Sequence, residues 1–307
     1  MLIRHGFLKF KCIPMLFFLA LYACGIETED HKRVSRAKST LNEEVIRIPM
    51  TIKRPSGMQK FLLEATVYRP DGQGPFPLVV LNHGSPRDPE KRRRKGRARF
   101  EAQSREFIKR GFVVAIPMRR GYANSDGKFA ESYGKCDNAH FYKAGMETAK
   151  DILAAIRFMQ SQPYVDASRV LLIGQSAGGF GSLALASQEV EGLLGVINFA
   201  GVRGSPRPFK NCSPNRLIKA VEKYGQTTKV PTLWIYSEND SYIPPSLARE
   251  MHDAYTEAGG KARFVMLPPF EKDGHFIFHR KSGIPLWIKI VEDFIKEIEI
   301  LSPANEK

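Results

Sequence analysis

Ser176 lies within Gly174-Gln175-Ser176-Ala177-Gly178, a G-x-S-x-G pattern. A serine hydroxyl is a poor nucleophile at neutral pH. It attacks a carbonyl only when a base within hydrogen-bond reach takes its proton and an acid orients that base. Downstream, "LWIYSENDSYIP" offers Glu238 and Asp240 as acids, and "ARFVMLPPFEKDGHFIF" offers His275 as a base in a Gly-containing loop, with His279 close by. His252 falls inside a helical pattern with no loop to lift it towards the serine. These residue types suit acyl transfer to water. Reading His275, His279 and Asp273 as metal ligands would require helical geometry and a third close ligand that the sequence does not offer. The expectation is therefore a reaction without metal or organic cofactor.

Such residues need a rigid frame. "VIRIPMTI" and "LLEATVYRP", separated by "KRPSG", read as an antiparallel opening pair. "FPLVVLNHG", "GFVVAIPMRRG", "RVLLIGQ", "LLGVINFAG", "VPTLWIYSEND" and "ARFVMLPPF" are apolar, β-branched runs suited to strands buried on both faces. Between and after them lie helical patterns: "FEAQSREFIKR", "AGMETAKDILAAIRFMQSQ", "GGFGSLALAS", "PSLAREMHDAYTEAG" and "PLWIKIVEDFIKEIEI". This alternation predicts an α/β fold with a mostly parallel, doubly wound sheet and an antiparallel N-terminal hairpin. No internal repeat or second globular domain is evident.

With a strand before the G-x-S-x-G corner and a helix after it, the chain resembles the α/β-hydrolase family over nearly all of residues 45–300. Within that family it resembles the dienelactone-hydrolase-like branch of esterases. The resemblance implies the chain order serine, acid, histidine: Ser176 as nucleophile, Asp240 as acid with Glu238 second, and His275 as base with His279 a weaker rival. Gly174 and Gly178 would let helix pass close to strand. The oxyanion donors implied are the backbone N–H of Ala177, at a helix N-terminus, and the loop carrying Gly84 and Ser85 after "LVVLNHG". His83 resembles the histidine of the family's "HG" element and is read as structural. "MRRGYANSDG" resembles the family's "RG" segment, which makes Tyr122 a candidate to line the site. Dienelactone hydrolases proper use a cysteine nucleophile, so the serine here points to a carboxylesterase acting on a small-molecule or glycan ester. The alternative within enzymes is a small-peptide hydrolase of the prolyl-oligopeptidase type. Those enzymes carry a large N-terminal propeller, whereas only residues 25–44 and a hairpin precede the sheet pattern here.

At 307 residues and 43% hydrophobic content the chain suits one large domain, taken as 45–307. Residues 1–24 have a basic start and then an apolar run too short to span a bilayer, as in a secretory signal. Leu21 and Ala23 before Cys24 resemble a lipobox, from which Tyr22 departs. The expectation is a bacterial protein exported to the periplasm or cell envelope, lipid-anchored at Cys24, with ordinary signal cleavage nearby as the alternative. Residues 25–44 read as a flexible tether. Of four cysteines, Cys136 and Cys212 are then left as an even pair in an oxidising compartment, predicting a disulfide worth on the order of 4 kcal/mol.

The formal net charge of +15 raises the question of an anionic partner. Residues 87–99, "RDPEKRRRKGRAR", hold eight basic residues against two acidic ones and read as an exposed loop after the oxyanion strand. Nucleic acid is a poor partner, because no aromatics interleave the run and export removes the chain from cytoplasmic nucleic acid. A solvated loop is the simplest reading, and a non-catalytic protein binding anionic lipid or glycan through it is a further alternative. Oligomeric state is not legible.

Overall fold

The computed structural model describes residues 41–300. The expected signal, lipobox Cys24 and most of the tether lie outside those residues. The elements in chain order are β1 (Glu43–Arg54), β2 (Gly57–Tyr68), β3 (Phe76–Asn82), α1 (Pro89–Arg93), α2 (Glu101–Ile108), β4 (Val113–Pro117), α3 (Phe141–Gln160), β5 (Val165–Gln175), α4 (Ala177–Ala186), β6 (Leu193–Phe199), α5 (Pro214–Gly225), β7 (Thr232–Ser237), α6 (Pro245–Glu257), β8 (Ala262–Leu267) and α7 (Ile284–Glu297).

They form one eight-stranded sheet in the order β1-β2-β4-β3-β5-β6-β7-β8. β1 and β2 pair antiparallel through the two-residue turn 55–56, and β2 pairs antiparallel with β4. The strands from β4 to β8 are parallel to their neighbours. Alternation along each strand explains why the run is apolar without a break. In β3, Leu78 and Val80 face one helical layer while Val79 and Leu81 face the other; in β5, Leu172 faces the first while Leu171 and Ile173 face the second. The first layer includes Phe180 and Leu185 of α4, and the second includes Trp287 and Phe294 of α7. Each fully buried aliphatic side chain contributes about 1.5–3 kcal/mol of burial free energy. A parallel sheet covered on both faces therefore leaves its functional groups to the strand ends.

Two differences from the sequence expectations matter. α5 has no counterpart among them, although Pro214 at its start and Leu217, Ala220, Val221 and Tyr224 at helical spacing carry the signal. The basic loop is not simply extended: Asp88 caps α1 by accepting from the Glu90 N–H at 2.7 Å, and Pro89 opens the helix.

Candidate active site

The β5 to α4 corner fixes Ser176. Its backbone takes φ 56°, ψ −123°, a left-handed conformation that a non-glycine residue adopts only under strain. Its N–H donates to Phe199 O at 2.9 Å, and its carbonyl accepts from the Phe180 N–H at 3.0 Å. Small neighbours are obligatory here. A Cβ at Gly174 would stand 2.4 Å from Gly178 O, and one at Gly178 would stand 2.3 Å from Asn82 O.

Asp240 follows β7 and is buried. Its Oδ1 accepts from the N–H groups of Tyr242 at 2.7 Å and Ile243 at 3.2 Å. Its Oδ2 lies 2.9 Å from His275 Nδ1. An Nδ1–H donated to that carboxylate leaves Nε2 as the basic nitrogen of the imidazole. The loop that lifts His275 is held from several sides. Asp273 accepts from the His275 N–H at 3.1 Å and from Ser241 N and Oγ at 3.0 and 2.6 Å, which ties the acid loop to the histidine loop. Gln175, the residue before the serine, donates from Nε2 to His275 O at 3.0 Å. Asp273 thus serves as a brace between loops.

Tyr242, which nothing in the sequence singles out, stacks on His275 with ring centroids 3.7 Å apart and planes at 9°. The Arg87 guanidinium carbon sits 3.3 Å from the same tyrosine centroid. Two groups cannot share one ring face at those distances, so Tyr242 is sandwiched between His275 and Arg87. The rivals stand apart: Glu238 is exposed, and His252 packs on α6 with Nε2 3.2 Å from Ala262 O. His279 lines the rim of the cavity beside His275.

The loop after β3 lies against the nucleophile, since a Cβ at Gly84 would be 3.1 Å from Ser176 Cβ. The Ala177 N–H is at the first position of α4 and has no intrahelical acceptor. Ala177 and Ser85 line one cavity with Ser176, and Gly84 and Ser85 line another with it. Tyr122 lines neither cavity, which corrects the expectation that it lines the site; His83 lines neither as well, so it is not a site-lining residue and keeps the structural reading. Both are wholly buried: the Tyr122 hydroxyl donates to Ser85 Oγ at 2.7 Å, and the two rings meet edge to face at 4.7 Å. Both pack against the loop that carries Gly84 and Ser85. Burial, reinforced by the Arg119 charge, pushes the His83 pKa well down and keeps the ring neutral. Its Nδ1 lies 2.8 Å from Gly84 O, fixing the loop from beneath.

Ser176 opens onto two cavities separated by Arg87 and Tyr242. One, of about 440 Å³, is shared with His275, Gln175 and Phe276. The other, of about 260 Å³, extends past Ala177 to the segments 131–134 and 202–206. Those segments are joined by the Cys136–Cys212 disulfide, as the cysteine count predicts. They are also joined by a buried ion triad, which sequence reasoning does not reach. Glu131 accepts from Arg119 Nε at 2.8 Å and from Arg203 Nη2, and also takes the Thr148 hydroxyl at 3.0 Å. Burial alone would raise the Glu131 pKa; the Arg119 and Arg203 charges and hydrogen bonds outweigh it and hold the carboxyl well below its usual range. Arg119 also donates from Nη1 to His83 O at 2.8 Å, so the triad reaches the loop after β3.

A serine on a strained strand-to-helix corner at the carboxyl end of a parallel sheet, with a buried Asp–His pair beside it, defines a site of the serine-hydrolase class. The fold is that of the α/β-hydrolase superfamily. Residues 59–206 match the family described as X-Pro dipeptidyl-peptidase (S15 family), and residues 134–282 match the family described as phospholipase/carboxylesterase. Dipeptidyl-peptidase 5 of Porphyromonas gingivalis is 24% identical over 218 residues, covering 62% of this chain and 31% of that protein. The acylamino-acid-releasing enzyme of Rattus norvegicus is 26% identical over 227 residues, covering 65% and 29%. The chain thus spans about a third of the length of these curated relatives.

Among solved structures, an acylaminoacyl peptidase in complex with a chloromethyl ketone superposes with a TM-score of 0.60 at 18% identity, over 84% of this chain and 41% of that one. An esterase of Pyrococcus furiosus does so with a TM-score of 0.56 at 15% identity, over 85% and 92%. At these identities the likeness is one of fold.

Proposed function

We propose that the protein is a carboxylic ester hydrolase in which Ser176, His275 and Asp240 act as nucleophile, base and orienting acid. The observation that carries this reading is the His275 Nδ1 to Asp240 Oδ2 contact of 2.9 Å on an imidazole that shares a cavity with the strained Ser176. His275 Nε2 takes the Ser176 hydroxyl proton as Oγ bonds to the ester carbonyl carbon. The carbonyl oxygen takes up the displaced electron pair, facing the Ala177 N–H and the Gly84–Ser85 loop. Collapse of the tetrahedral adduct breaks the bond to the alcohol oxygen, which receives the proton from His275. A water then loses a proton to the same imidazole, attacks the acyl-enzyme and releases the acid.

Peptide hydrolysis is the second reading, favoured by the dipeptidyl-peptidase family match and by relatives named as peptidases. The two separate when the full chain is offered p-nitrophenyl esters and aminoacyl-proline p-nitroanilides side by side with Ser176→Ala. Ester turnover that disappears in Ser176→Ala supports the first; anilide turnover with a higher kcat/KM supports the second; equal turnover in Ser176→Ala removes Ser176 from both. Export to a bacterial envelope with an anchor at Cys24 is part of the same proposal, supported by the disulfide, which persists in oxidising compartments. Membrane fractionation of the full chain beside Cys24→Ser tests it.

A further inference from the structure

The serine has two unequal sides. In acyl transfer the imidazole protonates the leaving group, so the alcohol lies on the His275 side and the acyl chain extends the other way, past Ala177. That acyl side is the 260 Å³ cavity, large enough only for a short chain. Its walls bring three guanidinium groups together: Arg87, Arg92 and Arg203. Glu131 is the one carboxylate among the lining residues, and it is already committed to Arg119, Arg203 and the Thr148 hydroxyl. It is therefore unavailable to an ammonium group.

The positive charge there is in excess. Arg119 and Arg203 share a single carboxylate, and Arg119 Nη2 and Arg203 Nε are buried without an acceptor. Arg87 uses Nε and Nη2 on carbonyl and hydroxyl oxygens of Ser205 and Ser241, which hold the head in place without neutralising it. Arg92 rests over the Phe129 ring at 4.1 Å. Neither Arg87 nor Arg92 has a carboxylate within ion-pair distance among the described residues. Clustering like charges at a half-enclosed wall is costly unless an anion completes it, because the field is poorly screened there.

The geometry points to a substrate whose acyl group carries its own carboxylate, with Arg87 and Arg92 as the cations that bind it on the Ala177 side of Ser176. This rests on the acyl-transfer reading of Ser176. It also accounts for part of the basic segment 87–99: Arg92 faces this cavity alone and Arg87 faces both, whereas Lys91 and Lys95 line the His275-side cavity together with Asp88, and Arg97 and Arg99 pair with Glu43 at the far end of the sheet.

The test uses the full chain and three p-nitrophenyl esters of one chain length: the monoester of adipate, hexanoate and 6-aminohexanoate, with charges of minus one, zero and plus one. The monoadipate should exceed hexanoate in kcat/KM by about tenfold or more, since one well-placed charge-assisted contact is worth on the order of 1.4 kcal/mol. The aminohexanoate should fall below both. The ratio should shrink at high salt and by at least about fivefold in Arg92→Gln, a half-buried position on a short helix with no buried residue, where the substitution leaves the fold intact. Hexanoate preferred, or a ratio indifferent to Arg92→Gln, overturns the proposal while leaving the serine-hydrolase reading standing. If no ester is turned over above the Ser176→Ala level, that reading fails instead. Calorimetric binding of monomethyl adipate against methyl hexanoate then still decides the cavity's charge preference: equal or weaker binding of monomethyl adipate overturns it. A glutamyl against a glutaminyl p-nitroanilide distinguishes an acidic aminoacyl group from a dicarboxylic half-ester as the source of the carboxylate.

Discussion

On the His275 side of Ser176 the parts are held by hydrogen bonds to carboxylate and amide side chains between short loops that leave adjacent strands; on the Ala177 side they are held by buried ion pairs and by a covalent link. Asp240 and His275 follow the neighbouring strands β7 and β8, and the side chains of Asp273 and Asn239 tie their loops together. The segments 131–134 and 202–206 are long excursions, and they meet through a buried Arg–Glu–Arg triad and the Cys136–Cys212 bond. The first arrangement keeps a proton path fixed. The second lets recognition vary in loops while the chemistry beside them stays in place.

Disturbing each side should produce a different loss, and the largest is expected on the His275 side. Asp240→Asn should lower kcat by about 10⁴ with little change in melting temperature, because the imidazole loses its tautomer control while the amide keeps the Tyr242 and Ile243 contacts. A loss below about tenfold would mean that Asp240 does not orient the base. On the other side the loss should be of stability. Glu131→Ala leaves two buried guanidinium groups uncompensated and should destabilise by about 3–5 kcal/mol in urea titration.

The same carboxylate predicts a pH dependence. Its pKa is depressed in the folded state, so its contribution is present above the unfolded value of about 4.3 and is lost as pH falls through the folded one. Urea midpoints should decline below about pH 4, and less steeply in Glu131→Gln. Reduction of the disulfide, or the pair Cys136→Ser and Cys212→Ser, should cost up to about 4 kcal/mol for a loop of 76 residues. The anionic-acyl preference should weaken with it if the bond holds the cavity wall. The smallest effect belongs to the partition itself: Tyr242→Leu should reduce kcat by about tenfold, the cost of a less constrained imidazole, while Tyr242→Phe keeps the stack and the rate.

Much of this frame is legible along the chain because its causes are local or periodic. Buried strands declare themselves as unbroken apolar runs, the serine corner by its glycines, and the disulfide by an even count. α5 is equally legible from Leu217, Ala220, Val221 and Tyr224, but its polar surroundings mask the pattern. The basic run shows that charge is concentrated after β3. Which of its cations turn inward does not follow, since that depends on Ser205 and Ser241 holding Arg87 and on α1 placing Arg92 over the cavity while Arg97 and Arg99 reach Glu43.

The sequence alone determined the class of chemistry: a hydrolase-type serine corner, an acid and a histidine in the required order, on a parallel sheet. Periodicity and short-range sterics encode the sheet and the corner, acting between near neighbours in the chain, while the order of acid and histidine is what the family resemblance implies. Only the tertiary structure decided that Tyr122 and His83 pack against the loop after β3, that Tyr242 is pressed between His275 and Arg87, and that Glu131 is shared by Arg119 and Arg203. The Tyr122–Ser85, Tyr242–His275 and Glu131–Arg203 contacts join residues distant in the chain. Their partners are chosen by burial and charge compensation, which come into being only when the loops close over the sheet.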